Sequence, residues 1–160
     1  MATVKPFKAW RPKPEFATEI ACVPYDVINT EEAHELAEGK PNSFLHVIRP
    51  EIDLPKETSV YDTKVYEKGR DNLKELLHSD VMMQEDEDAL YIYQLIMDGR
   101  SQSGIFGCVS VDDYNNDVIL KHELTRPAKE DDRTKHIVTQ QAMPNRSCSP
   151  FGILVLSALR

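Results

Sequence analysis

The densest set of chemistry-bearing side chains is the run Lys121-His122-Glu123-Leu124-Thr125-Arg126-Pro127-Ala128-Lys129-Glu130-Asp131-Asp132-Arg133-Thr134-Lys135-His136. Thr125 is a helix-capping residue type, and Pro127 is tolerated in a first helical turn, where its missing N–H goes unused. The spacing predicts a helix over about 126–136. On that helix Lys129, Arg133 and His136 stand at i, i+4 and i+7, a single face with three groups able to carry positive charge. Open N–H groups at the helix start would add to an anion site. His122 and Glu123, just upstream, form a candidate acid/base pair. Together with Thr125 these residues suit a phosphate-bearing ligand. The same letters also describe a solvated surface helix, in which Lys129, Glu130, Asp132, Arg133 and His136 only trade exposed ion pairs.

Other segments add single candidates. Asp26, in Pro24-Tyr25-Asp26-Val27, is placed for a base or a metal ligand, or for capping a turn with its carboxylate. Arg49, before Pro50, either clamps an anion or bridges Glu51. Arg100 opens a polar segment that reads equally as the wet face of a hairpin. His46 reads as a satisfied histidine within an apolar segment. Familiar motifs are excluded. His122-Glu123 is not a zinc-protease motif, because Arg126 stands where the second histidine belongs, and neither GxxxxGK[ST] nor GxGxxG occurs. Cys22, Cys108 and Cys148 are widely separated, so no zinc site or disulfide framework is indicated. No cofactor can be named from these residues. A nucleotide with Mg is what a phosphoryl-transfer reading would require.

These residues need elements to hold them. Phe16–Val23 reads as a strand ending at Pro24, followed by a turn. Asn29 and Glu32 form a capping box for a short helix that Gly39 ends. Ser43–Ile48 reads as the next strand. Asp62 caps the longest helix, Thr63–His78, with Val65, Tyr66, Leu73, Leu76 and Leu77 on one side. Glu85-Asp86-Glu87-Asp88 is a solvated loop. Ala89–Met97 and Arg100–Val111 alternate as strands about Asp98-Gly99, a type I′ hairpin turn. The fold expected is α+β: a mixed sheet containing the 89–111 hairpin, flanked by helices at about 63–78 and 126–136.

The chain has 160 residues, with 19 Lys+Arg against 27 Asp+Glu and a formal charge of −8. That balance argues against nucleic acid or an anionic membrane as the main partner and leaves a small molecule. It sets no oligomeric state. Met1–Trp10 has no apolar run, and the apolar stretch Phe151–Leu159 is far shorter than the roughly 20 residues of a membrane span, so a cytoplasmic location is expected.

Seven ordered blocks carry a resemblance: KPFKAWRPKPE, VPYDV, NSFLHVIRPEIDLP, VYEKGRDNL, YIYQLIMDGRSQSGI, VSVDDY and KHELTRPAKEDDRTKH. In this order they resemble the domain-of-unknown-function 1015 family, from about Val4 to His136. The resemblance implies a protein of small-molecule metabolism, loosely associated with serine biosynthesis and with kinases of free serine. It also implies a distant ParB/sulfiredoxin-like scaffold, although the glycine-histidine signature of ParB is missing. The polar family positions fall on Asp26, His46, Arg49, Glu51, Arg100, His122, Glu123, Thr125, Lys129, Glu130, Asp131, Arg133 and His136. Relatives continue past the last histidine into an apolar strand segment. Here the likeness stops at about Thr139, and Ile137–Arg160 contains no Asp or Glu. Residues 1–139 are therefore read as the N-terminal portion of a larger α+β domain and 140–160 as an aberrant or out-of-frame tail, and the piece, lacking the rest of the family architecture, is expected to be inactive.

The functional expectation is a small-molecule enzyme of serine- or phosphoserine-type phosphoryl transfer. Arg49, Arg100, Thr125, Lys129, Arg133 and His136 would bind the ligand, and Asp26, His122 and Glu123 would do the proton chemistry. The alternative is a non-catalytic anion sensor, or a regulator that binds nucleic acid on a ParB-like scaffold. The enzymatic reading requires Asp26, Arg49, Glu123, Lys129 and Arg133 to meet at one cleft.

Overall fold

The structure is a computed structural model that describes residues 1–120, 126–144 and 156–158. It is an α+β fold with helices α1 (Ala17–Ile20), α2 (Thr30–Ala37), α3 (Leu45–Ile48), α4 (Thr63–His78), α5 (Val111–Asn115) and α6 (Pro127–Gln140). The strands are β1 (Val4–Lys5), β2 (Trp10–Pro12), β3 (Met82–Gln84), β4 (Tyr91–Met97), β5 (Arg100–Phe106), β6 (Cys108–Val109), β7 (Ala142–Pro144) and β8 (Leu156–Ala158).

Local signals set the two best-defined helix starts. Asn29 Oδ1 accepts from the Glu32 N–H at 2.9 Å, and the Glu32 carboxylate accepts from the Asn29 N–H at 2.8 Å, so α2 begins in a closed capping box. Asp62 Oδ1 accepts from the Lys64 N–H at 2.9 Å and starts α4. Val65, Tyr66, Gly69, Leu73 and Leu76 form the buried face of α4. A Cβ at Gly69 would stand 3.0 Å from Gln140 Nε2, 3.1 Å from Pro50 Cγ and 3.2 Å from the Val47 carbonyl. The absent side chain is what lets α4 lie against α6, α3 and the 3-10 turn Pro50–Asp53. Gln140 Nε2 also donates to the Val47 carbonyl at 3.2 Å, tying the end of α6 to α3.

Two segments expected as strands are helical. Ser43–Ile48 contains α3, whose Phe44, Leu45, Val47 and Ile48 are all buried. Apolar residues at i, i+1, i+3 and i+4 wrap one turn of helix as readily as they fill a doubly buried strand, and length alone does not separate the two. Phe16–Val23 contains α1, preceded by the 3-10 turn Pro14–Phe16, with Ile20 in the core. Pro14 fixes φ at a first-turn position, which favours a helical start over a strand. The late helix is present as expected and is longer. It starts at Pro127, its cap is Arg126 with no side-chain hydrogen bond, and it runs four residues beyond His136. Thr125 lies outside the described residues.

The sheets are small and antiparallel. β3-β2-β8-β7 form a four-stranded sheet, β1 pairs with β6, and β4 pairs with β5. The β4–β5 turn is the one its sequence announces, with Asp98 at φ 51° and Gly99 at φ 77°. The hairpin makes a two-stranded sheet of its own, while α4 and α6 pack chiefly on each other.

Candidate functional site

A recess of about 250 Å³ opens between the 25–30 loop, the residues around Arg49 and one face of α6. Arg49, Lys129, Arg133 and His136 line it, with Tyr25, Glu51 and Asp132. Residues a hundred positions apart in sequence meet here because Gly69 and Gln140 bring α6 down onto α4 and α3.

Arg49 enters from the end of α3 and is held by its surroundings. Its guanidinium donates to the Tyr25 carbonyl at 3.1 Å and to Thr30 Oγ1 at 3.0 Å. Its Nε stands 2.8 Å from Glu51 Oε1 yet makes no hydrogen bond among the described residues, so that contact is an ion pair without an aligned N–H. Two of its five N–H donors are therefore committed to neutral oxygens, and the position of the charge is fixed. Arg133 is fixed from the opposite wall. Its Nη2 and Nε donate to Asp132 Oδ2 at 2.8 and 3.3 Å, and its guanidinium lies 4.1 Å from the centroid of the Tyr25 ring.

Behind Arg133 lies a buried polar layer. The Tyr66 hydroxyl donates to Asp132 Oδ1 at 3.0 Å. Burial, then the Asp132 hydrogen bond and charge, push the Tyr66 pKa up to about 12. Burial works to raise the Asp132 pKa, but the hydrogen bond and charge of Arg133 outweigh it and hold the carboxyl below its ordinary range. His136 is 4% exposed and packs edge-on against the Tyr66 ring at 4.7 Å, and among the described residues its Nδ1 has no hydrogen-bond partner. Burial, then the charge of Arg133, lower its pKa to about 4. His136 is therefore neutral at pH 7, and the three-cation face expected from the helical spacing is a two-cation face with a neutral imidazole behind it.

Among the described lining residues Arg49, Lys129 and Arg133 face two carboxylates, Glu51 and Asp132, leaving one positive charge in surplus. Lys129 is exposed, and among the described residues no ion pair engages it. It is the third residue of α6, but the first turn there offers little to an anion: Pro127 has no N–H, and the Lys129 and Glu130 N–H groups donate to the Arg126 carbonyl at 2.9 and 3.0 Å.

The remaining sequence candidates lie elsewhere. Asp26 is exposed and is not among the lining residues, although its neighbour Tyr25 is. Arg100 is exposed at the tip of the β4–β5 hairpin, outside the recess. His122, Glu123 and Thr125 lie outside the described residues. Sequence reasoning passed over Tyr25 and Asp132. The signal for Asp132 was its place beside Arg133, read there as an exposed ion pair. Tyr25 had only the neighbourhood of Asp26 to mark it.

Fold and recess define a small α+β unit with a recess of metabolite size in which cations outnumber carboxylates among the described residues. Residues 4–145 match the family described as Protein of unknown function (DUF1015), and the chain belongs to that family. No curated protein and no solved structure matches it. Among the described residues no helix is long and apolar enough to cross a membrane.

Proposed function

We propose that the chain handles a small phosphorylated metabolite, with Arg49, Lys129 and Arg133 holding its phosphate. The observation that supports this is their meeting at one recess, Arg49 held by two neutral oxygens and Glu51, Arg133 held by Asp132 and the Tyr25 ring, and Lys129 with no ion pair among the described residues. Arginines already held in place bind an oxyanion with little reorganisation, which phosphoryl transfer needs more than covalent help. The recess volume suits a metabolite the size of phosphoserine better than a whole nucleotide. Serine-type phosphoryl transfer is the reaction we favour. The base would come from His122 or Glu123, which precede α6 by a few residues; Asp26, outside the recess, is not assigned that role. A nucleotide with Mg would supply the phosphoryl group. Among the described residues no group of three or more His, Cys, Asp or Glu side chains is placed to hold a metal ion, so no metal ligand is assigned.

A second reading, a non-catalytic anion sensor, draws on one observation. The two carboxylates that line the recess, Glu51 and Asp132, are each already engaged by an arginine. Thermal-shift measurement with phosphate, phosphoserine, serine, ATP and ADP tests binding. A ligand at a hundredfold excess over its dissociation constant adds about 2.7 kcal/mol. Phosphate and phosphoserine are expected to stabilise, and serine alone to do nothing. No stabilisation by any of the anions overturns both readings. A shift without turnover of phosphoserine or nucleotide, in a full-length family member as well as in this chain, selects the sensor. A nucleic-acid binder would instead lose affinity steeply with salt.

A further inference from the structure

On the far side of Arg49 the chain builds a second histidine environment, unlike that of His136. His46 sits on α3 with its Nδ1 2.8 Å from Asp53 Oδ1 and its Nε2 3.2 Å from the Lys40 carbonyl. Both ring nitrogens face acceptors, and only an imidazolium can donate to both. Asn72 of α4 completes the lock, donating to Asp53 Oδ2 at 2.6 Å and to the His46 carbonyl at 2.7 Å. Asp53 ends the 3-10 turn whose cap is Arg49. Within that turn the Ile52 N–H donates to the Arg49 carbonyl at 3.1 Å, and the Leu54 N–H to the Glu51 carbonyl at 3.2 Å. The two ends of one short segment thus carry the imidazolium–carboxylate pair and the Arg49–Glu51 pair.

We propose that His46 is a positioning residue for the recess: by donating from both ring nitrogens it fixes the Pro50–Asp53 turn, so that anion affinity at Arg49 falls when His46 loses its proton. This rests on the anion-binding reading above. The charged groups around His46 are Asp53, Lys68 and Glu75 of α4, Lys40, and His34 and Glu38 from α2 and its end. The Asp53 hydrogen bond, opposed by burial and aided by the Asp53 charge and the Lys40 carbonyl, raises the His46 pKa above 6.5, and Lys68 opposes it more weakly. The lock therefore opens as pH rises, and only above the ordinary histidine value. His136, neutral above about pH 4, contributes nothing to such a profile.

Sulfate is the probe, since it carries the same charge throughout this range whereas phosphate titrates within it. Wild type and His46→Gln are titrated with sulfate at about pH 6 and about pH 8.5, values that bracket an ordinary histidine. Glutamine keeps an amide donor but has no proton to lose. Wild-type affinity is expected to fall on the order of fivefold between the two pH values, and that of the variant to stay level. NMR titration of His46 in the wild type gives a readout that does not depend on the variant folding. By reciprocity, saturating sulfate must raise the His46 pKa. A pH profile shared by wild type and variant, or a His46 pKa that sulfate does not move, overturns the proposal. If sulfate fails to bind the wild type at either pH, the anion-binding reading itself falls and takes this one with it.

Discussion

The helical body around α3, α4 and α6 and the β4–β5 hairpin spend their apolar residues in opposite ways. Phe44, Leu45, Val47, Leu73 and Leu76 are buried against one another. On the hairpin Ile92 and Ile105 face each other across the strands at 73% and 75% exposed. The hairpin owes its shape to a well-chosen turn and to the contact of Tyr91 with Phe7, whose rings lie 5.2 Å apart. The helical body owes its shape to packing. Where packing is dense, side chains from distant parts of the chain are held still enough to build a site, and the recess is found there.

Substitutions that sharpen this contrast rank by size. Phe44→Ala should cost about 3–5 kcal/mol in denaturant unfolding, because it empties a site with no exposure at all. Gly69→Ala comes next, at about 1–3 kcal/mol, since its methyl meets Gln140, Pro50 and the Val47 carbonyl. Gly104→Ala on the hairpin meets nothing within 4 Å and should be neutral or slightly stabilising. Equal effects at the two glycines would break the comparison. Asn29→Ala should cost about 1 kcal/mol by removing the capping box. Ile105→Ala should stay within about 0.5 kcal/mol.

Acid adds a test confined to the helical body. His136 has a folded pKa of about 4 against 6.5 unfolded, so the unfolded chain takes up its proton first. Stability should therefore fall as pH drops from about 6.5 toward 4. His136→Phe, which keeps a ring against Tyr66, should flatten that limb in unfolding curves measured across the range. An unchanged slope would show that His136 is not held neutral.

What could be read from the residues alone was what depends on near neighbours. Asn29 with Glu32, Asp62 before an amphipathic run, and Asp98-Gly99 between alternating strands each specify an element within a few positions. Phe16–Val23 and Ser43–Ile48 were misread because a short apolar run fits a strand or a helical turn, and only packing on Leu73 and Leu76 decides. The site divides along the same line. Spacing on one helix brought Lys129 and Arg133 together, and Arg49 was marked by its exit before Pro50. That His136 would be neutral depends on burial beside Tyr66, seventy positions away in the chain, and that Arg133 would be stacked depends on Tyr25. No local pattern encodes either contact.

The central claim is that Arg49, Lys129 and Arg133 act together on one anion. Lys129 is exposed and can be replaced with little effect on folding, so Lys129→Ala isolates binding from stability. Isothermal titration of phosphate into wild type and Lys129→Ala at low ionic strength, where such charges are least screened, is the most direct measurement. The account predicts saturable binding to the wild type and a loss on the order of tenfold in the variant, the scale of one charged hydrogen bond. Equal affinity in the two proteins, or no binding to the wild type, would contradict it.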